Sequence, residues 1–167
     1  FFKRLAPDAR ASMGDKGKGL VAVGVLAGVV LMVIGYRGAE FINVWFPPVW
    51  TVHLNNLLML FAVILFGMGS SKGRARAWLR HPMLTGTLVF AIAHLLVNGD
   101  LASIVLFGAL GVWAVLEMLV INAREPAWVR PEPGPASGDV RLVIISLVVF
   151  AVITGLHSWL GPWPFPG

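Results

Sequence analysis

The chain has 167 residues, of which 57% are hydrophobic and 13% charged, with a formal net charge of +5 and no cysteine. Soluble domains carry about 25% charged residues, so an ordinary soluble protein is excluded. Disulfides, thiolate zinc sites, cysteine-held iron–sulfur clusters and thiol nucleophiles are excluded as well. The length suits one domain, and the long apolar runs predict an all-α, polytopic transmembrane bundle spanning residues 1–167.

In chain order, residues 1–18 form a basic leader that opens on FFKRL, without an initiator methionine, and carries Lys3, Arg4, Arg10, Lys16 and Lys18. Five apolar segments follow: Gly19–Tyr36, His53–Gly69, Met83–Val97, Leu101–Ile121 and Leu142–Leu160. At about 1.5 Å of rise per residue against a hydrocarbon core of about 30 Å, the first, fourth and fifth are long enough to span, and the second spans with its flanks. The third is short, and Arg80 and Asn98 are expected to extend it to both interfaces. Asn98-Gly99-Asp100 is a tight turn, since these residues tolerate left-handed backbone and cap helices. Residues 122–141 are a polar linker, rich in proline and glycine over 130–139.

Basic residues set the orientation. All but Arg37 of the 13 Lys and Arg fall in the leader, in the loop Lys72–Arg80, or in the 122–141 linker. The positive-inside rule therefore puts these segments in the cytoplasm and the C-terminus outside. Topology accounts for the basic residues, so no nucleic-acid partner is expected. Trp45, Trp50, Trp159 and Trp163 fall at the outer ends, as an interfacial aromatic belt.

This topology gathers His53, His94 and His157, from three different segments, near the outer end. His81 stands alone at the inner end, 13 residues or roughly 20 Å from His94 along a helix. Ionisable groups inside a bilayer mark functional sites by default. His53 also reads as an interfacial neighbour of Asn55 and Asn56, His157 as a member of the belt, and His81 as a surface residue before Pro82 at a helix start. His94 is different: the helix needs it neither to begin nor to end, and Ala91 and Ala93 leave room beside it for a flat ligand or another helix. Asn98, at i+4, is expected to offer its carbonyl oxygen to the His94 ring. Arg80 anchors at headgroups or pairs with an acidic ligand. Glu117 lies toward the inner end of the fourth segment, with Arg124 near enough in sequence to offset its charge.

Motifs for hydrolysis and nucleotide binding are missing. No serine sits in a nucleophile elbow, there is neither HExxH nor GxxxxGK[ST], and the GxG at Gly17–Gly19 follows no strand.

Taken together, HLNNLLML (53–60), RHPMLTG (80–86) and AHLLVNGD (93–100) resemble the NnrU family, with the match fading beyond Ile121. The resemblance implies a multi-helix bacterial inner-membrane protein associated with nitrite and nitric oxide reduction, that is, denitrification. The same family includes the 15-cis-ζ-carotene isomerases, and that branch implies haem b held by histidines and redox-dependent isomerisation of a polyene. His94 matches one proposed iron ligand. The other is expected in a helix before Phe1, toward the inner side, which conflicts with an outer His94. Either the third helix is tilted or broken, or the inner partner is His81. RHPMLTG is also similar to the RHPxYxG motif of membrane methyltransferases that use S-adenosylmethionine. The tyrosine and the glutamate pair of those enzymes are missing, so methyl transfer ranks third.

Two readings lead. The first is a haem-b-binding protein of redox or nitrogen-oxide metabolism, with His94 as metal ligand and His53, His81, His157, Arg80 and Asn98 around the cofactor. The second is a non-enzymatic accessory protein of a respiratory complex, using the Gly24–Gly28 GxxxG face for helix contact.

Overall fold

A computed structural model describes residues 6–14, 16–161 and 163–165. Lys3 and Arg4 lie outside the described residues, as do parts of the segment from Pro162 to Gly167. The described chain contains six α-helices: α1 (Pro7–Ser12), α2 (Lys16–Gly38), α3 (Thr51–Met68), α4 (Pro82–Leu95), α5 (Leu101–Arg124) and α6 (Ala136–Leu160). No strand occurs among the described residues, only an isolated antiparallel bridge between Asn43 and Asp100.

Four helices, α2, α3, α5 and α6, are long and apolar enough to cross a membrane. The fourth helix is shorter than the sequence suggests. It has 14 residues and stops at Leu95, leaving Arg80 and Asn98 outside it. The expected linker also shrinks. α5 runs on past Ile121 to Arg124, a stretch free of glycine and proline, and α6 begins at Ala136, directly after Pro135 and with Gly138 inside its first turn.

Helix α4 is central, packed between α3 and α5, while α6 lies against α3. Small residues make these approaches possible. Gly86 meets the Ala62 carbonyl oxygen at 3.2 Å measured from where its Cβ would stand, and Gly111 meets Ala91 at 3.4 Å. Ala62, Ala91, Ala93 and Ala114 are fully or almost fully buried. Apolar burial gains little against lipid tails, so close van der Waals contact across such residues holds the helices together. In contrast, α2 is exposed along nearly its whole length and is tied to α5 by one side-chain bond, Tyr36 Oη to Ser103 Oγ at 2.9 Å. Nothing in the described chain approaches Gly24 or Gly28, so the GxxxG face has no helix partner within it.

Each end of the bundle is knitted separately. At the tryptophan-bearing end, the Val44 and Trp45 N–H groups both donate to the Gly99 carbonyl, at 2.8 and 3.1 Å, and Leu101 N–H donates to the Ile42 carbonyl at 2.8 Å. Asp100 caps α5 by accepting from Ser103 N–H at 2.9 Å. At the basic end, Asp139 Oδ1 accepts from Ala75 N–H at 2.9 Å, and Ser71 Oγ donates to the Gly138 carbonyl at 3.5 Å. Gly73, Gly134 and Gly138 let these main chains touch; a Cβ on any of them would collide with backbone.

Candidate functional site

Register follows from the close contacts. Gly69 lies beside Pro82 and Gly86 beside Ala62, so α3 and α4 run antiparallel, and Asn55 comes level with Ala93 and His94. Ser71 meets Gly138, and Gly67 meets Leu142 and Ser146. Helix α6 is therefore antiparallel to α3, and His157 returns to the level of His53. The result is a polar layer near the tryptophan end, drawn from three helices.

The His94 ring is the best-defined member of this layer. Its Nδ1 lies 3.0 Å from the Phe90 carbonyl oxygen, one turn back in α4. A carbonyl can only accept, so Nδ1 carries the proton, and in the neutral ring Nε2 keeps its lone pair. No hydrogen bond occupies Nε2 among the described residues. The ring is stacked on Phe107 of α5, with centroids 4.4 Å apart and planes at 27°, and leans on Phe90 at 4.3 Å. His94 is half-buried, and His157 lies near enough for the two imidazoles to interact electrostatically. His53 occupies the first turn of α3 and is exposed.

Asn98 does not serve the ring as expected. Its Nδ2 donates to the His94 main-chain carbonyl at 2.8 Å. It caps the end of α4, where carbonyls would otherwise lack partners, and the Phe90 carbonyl takes the role foreseen for its side chain.

His81 and Arg80 are not brought to His94 but sit at the opposite end of α4. His81 Nε2 lies 2.8 Å from Asn122 Oδ1 near the end of α5. The Arg80 guanidinium donates to the main-chain carbonyls of Glu125 and Pro126. Both side chains fasten the start of α4 to the end of α5. The length of α4 separates His81 from His94, so the two do not share one site.

Two contributors escaped the sequence reading. Phe107 faces His94 only because of the α4–α5 register, which no local pattern announces. Asn55 is 9% exposed, and its Oδ1 is buried with no hydrogen-bond partner among the described residues. The HLNN motif was the available signal: two consecutive amides in an apolar helix. A buried orphan acceptor costs about 1–3 kcal/mol, so this oxygen is an open position for a donor in the histidine layer.

Among the described residues, no three His, Asp or Glu side chains are grouped to hold a bare metal ion. A haem iron asks for less, because the porphyrin supplies four nitrogens and the protein only axial ligands. An imidazole with its Nδ1–H tied back and its Nε2 open is the donor such a group takes.

Apolar helices of spanning length around a short central helix define a polytopic α-helical membrane protein, with a histidine layer toward one end. The family model described as NnrU protein matches residues 1–164, and the chain belongs to the NnrU family. The match thus continues beyond Ile121, through α6 and His157. Neither a curated protein nor a solved structure gives a significant match.

Proposed function

We propose that this is a haem-b-binding membrane protein with His94 Nε2 as an iron ligand. It acts in nitrite and nitric oxide reduction or, in the manner of the family's isomerase branch, in redox-dependent isomerisation of a polyene such as ζ-carotene. The reading rests chiefly on the His94–Phe90 hydrogen bond, which commits Nδ1 and leaves Nε2 available. When bound, haem b supplies a one-electron redox centre.

The chain's own residues do the rest. The Phe90 carbonyl holds the Nδ1 proton, fixing the tautomer and strengthening Nε2 as a donor. Phe90 and Phe107 hold the ring between them, so its orientation does not depend on the iron. His157 and His53 line the same layer, and Asn55 Oδ1 accepts from any group that arrives with a proton. Arg80, His81 and Asn98 serve by holding α4 in place.

The experiment is chemical rescue. His94→Gly in the full-length protein should lose its haem absorption and regain it when free imidazole is added. A His94→Gly variant with unaltered bands would remove His94 from the iron. For the reaction, nitric oxide should shift the bands of the ferrous protein under the nitrogen-oxide reading, whereas chromatography of added ζ-carotene isomers reports on isomerisation. A wild type that takes up no haem when haem is plentiful turns the reading toward an accessory protein.

A further inference from the structure

A second site lies at the other end of the molecule and does not depend on haem. A groove of about 810 Å³ runs between α3 and α6 from the basic end toward mid-membrane. Its walls are apolar, with Val63 and Phe66 from α3 and Ile145, Val149 and Ile153 from α6. Its mouth is polar, lined by Lys72 and Arg141 with the hydroxyls of Ser70 and Ser137. Neither cationic side chain has a partner among the described residues. Asp139, the acid of the first α6 turn, is committed to the Ala75 N–H.

We propose that this groove binds an anionic phospholipid, with its phosphate between Lys72 and Arg141 and an acyl chain along α6. Charge and depth argue for this occupant. The α6 lining extends from Ser137 to Ile153, roughly 24 Å of helix rise, which covers a leaflet about 15 Å deep with its headgroup zone. Positive charge is confined to the mouth, where anionic headgroups of the cytoplasmic leaflet lie. A free phosphate would leave the apolar length unfilled. A second copy in the same membrane orientation would bring its own basic end to the level of Lys72 and Arg141, where like charges repel.

The test uses the purified full-length chain in dodecyl maltoside, titrated with palmitoyl-oleoyl phosphatidylglycerol and read by native mass spectrometry. Lys72→Gln/Arg141→Gln should weaken lipid binding on the order of tenfold. Val149→Trp, which fills the groove without changing charge, should weaken it too. Arg74→Gln/Arg76→Gln removes the same charge from the basic end, in the loop that carries Lys72 but outside the groove, and should bind like wild type. Phosphatidylcholine of the same chains should bind more weakly, and glycerophosphate should not compete. The proposal is overturned by wild-type affinity in Lys72→Gln/Arg141→Gln, or by equal losses in the Arg74/Arg76 control. Displacement by glycerophosphate would make it a phosphate site. A wild-type dimer that Val149→Trp dissociates, with lipid binding unchanged, would make the groove an interface between copies. The glutamine pair alters only exposed side chains, so the test stands even if the tryptophan variant folds poorly.

Discussion

Replacing Gly99 by alanine should damage the tryptophan end of the bundle far more than an alanine in a spanning helix. A Cβ on Gly99 would run into the Trp45 carbonyl oxygen and stand 2.9 Å from the Trp45 carbonyl carbon and 3.1 Å from Pro47 Cδ. Two of these neighbours are main chain, so no flexible side chain can swing aside. Relief requires the segment before α3 to move off, which stretches the two hydrogen bonds that the Gly99 carbonyl accepts from Val44 and Trp45. Each bond is worth about 1 kcal/mol, and overpacking adds about 1–3 kcal/mol. A net loss of about 2–4 kcal/mol should lower the unfolding midpoint by roughly 5–15 °C in a chain of this size. Tryptophan fluorescence during thermal unfolding in detergent is the assay, and Trp45 itself sits in the affected segment. Gly24→Ala is the comparison: nothing lies within 4 Å of its added Cβ, and alanine favours helix over glycine by about 0.5–1 kcal/mol. Equal midpoints for Gly99→Ala and wild type, or equal losses in the two variants, would refute the close-approach argument.

Asp100 supplies a pH dependence. Partial burial acts to raise its pKa, but the Ser103 hydrogen bonds and neighbouring backbone N–H groups outweigh this and hold the carboxyl below its ordinary range. Its contribution is therefore present above the ordinary carboxylate pKa and is lost as pH falls through the lowered folded value; wild type should destabilise on acidification, Asp100→Asn should show a flatter profile, and Asp100→Ala should cost about 1 kcal/mol at neutral pH. Tyr36→Phe should loosen α2 by about 0.5–1.5 kcal/mol, seen as faster hydrogen exchange in α2 with α3–α5 unchanged; Ser103→Ala should do the same, and the double variant should add nothing. In intact cells Val49→Cys, exposed at the tryptophan end, should react with an impermeant thiol reagent, and Arg74→Cys, exposed at the basic end, only after lysis. The reverse pattern overturns the orientation read from the basic residues.

The helical architecture was open to a sequence reading because lipid leaves so few choices: a backbone in hydrocarbon must satisfy its own hydrogen bonds, and apolar runs of this length do so as helices. The turn expected at Asn98-Gly99-Asp100 falls instead at Leu96-Val97, with no left-handed backbone at Gly99 and with Asp100 extended and bridged to Asn43. Asp100 was legible as a cap. The reason for Gly99 was not, since the Trp45 carbonyl that excludes a side chain comes from a segment more than fifty residues earlier. His94 stood out because neither end of its helix required it. Its surroundings depended on register: Phe107 from α5 and the level of His157 in α6 follow from glycine and alanine contacts that fix how far each helix slides. Asn98 was misjudged for a local reason. Its amide lies one turn beyond His94, but it caps the helix through the backbone instead of reaching the ring. His81 and Arg80 were grouped with the site by motif, and only the length of α4 separates them from it.

The central claim is that His94, and not His81, holds haem iron, and haem content measures it most directly. Full-length wild type, His94→Ala and His81→Ala, expressed with abundant haem and checked for folding by circular dichroism, should be compared by Soret absorption and pyridine haemochromogen assay. Wild type and His81→Ala should carry equal haem b, with His94→Ala depleted or shifted in its bands. Equal haem with identical spectra in all three, or loss in His81→Ala alone, would contradict the account.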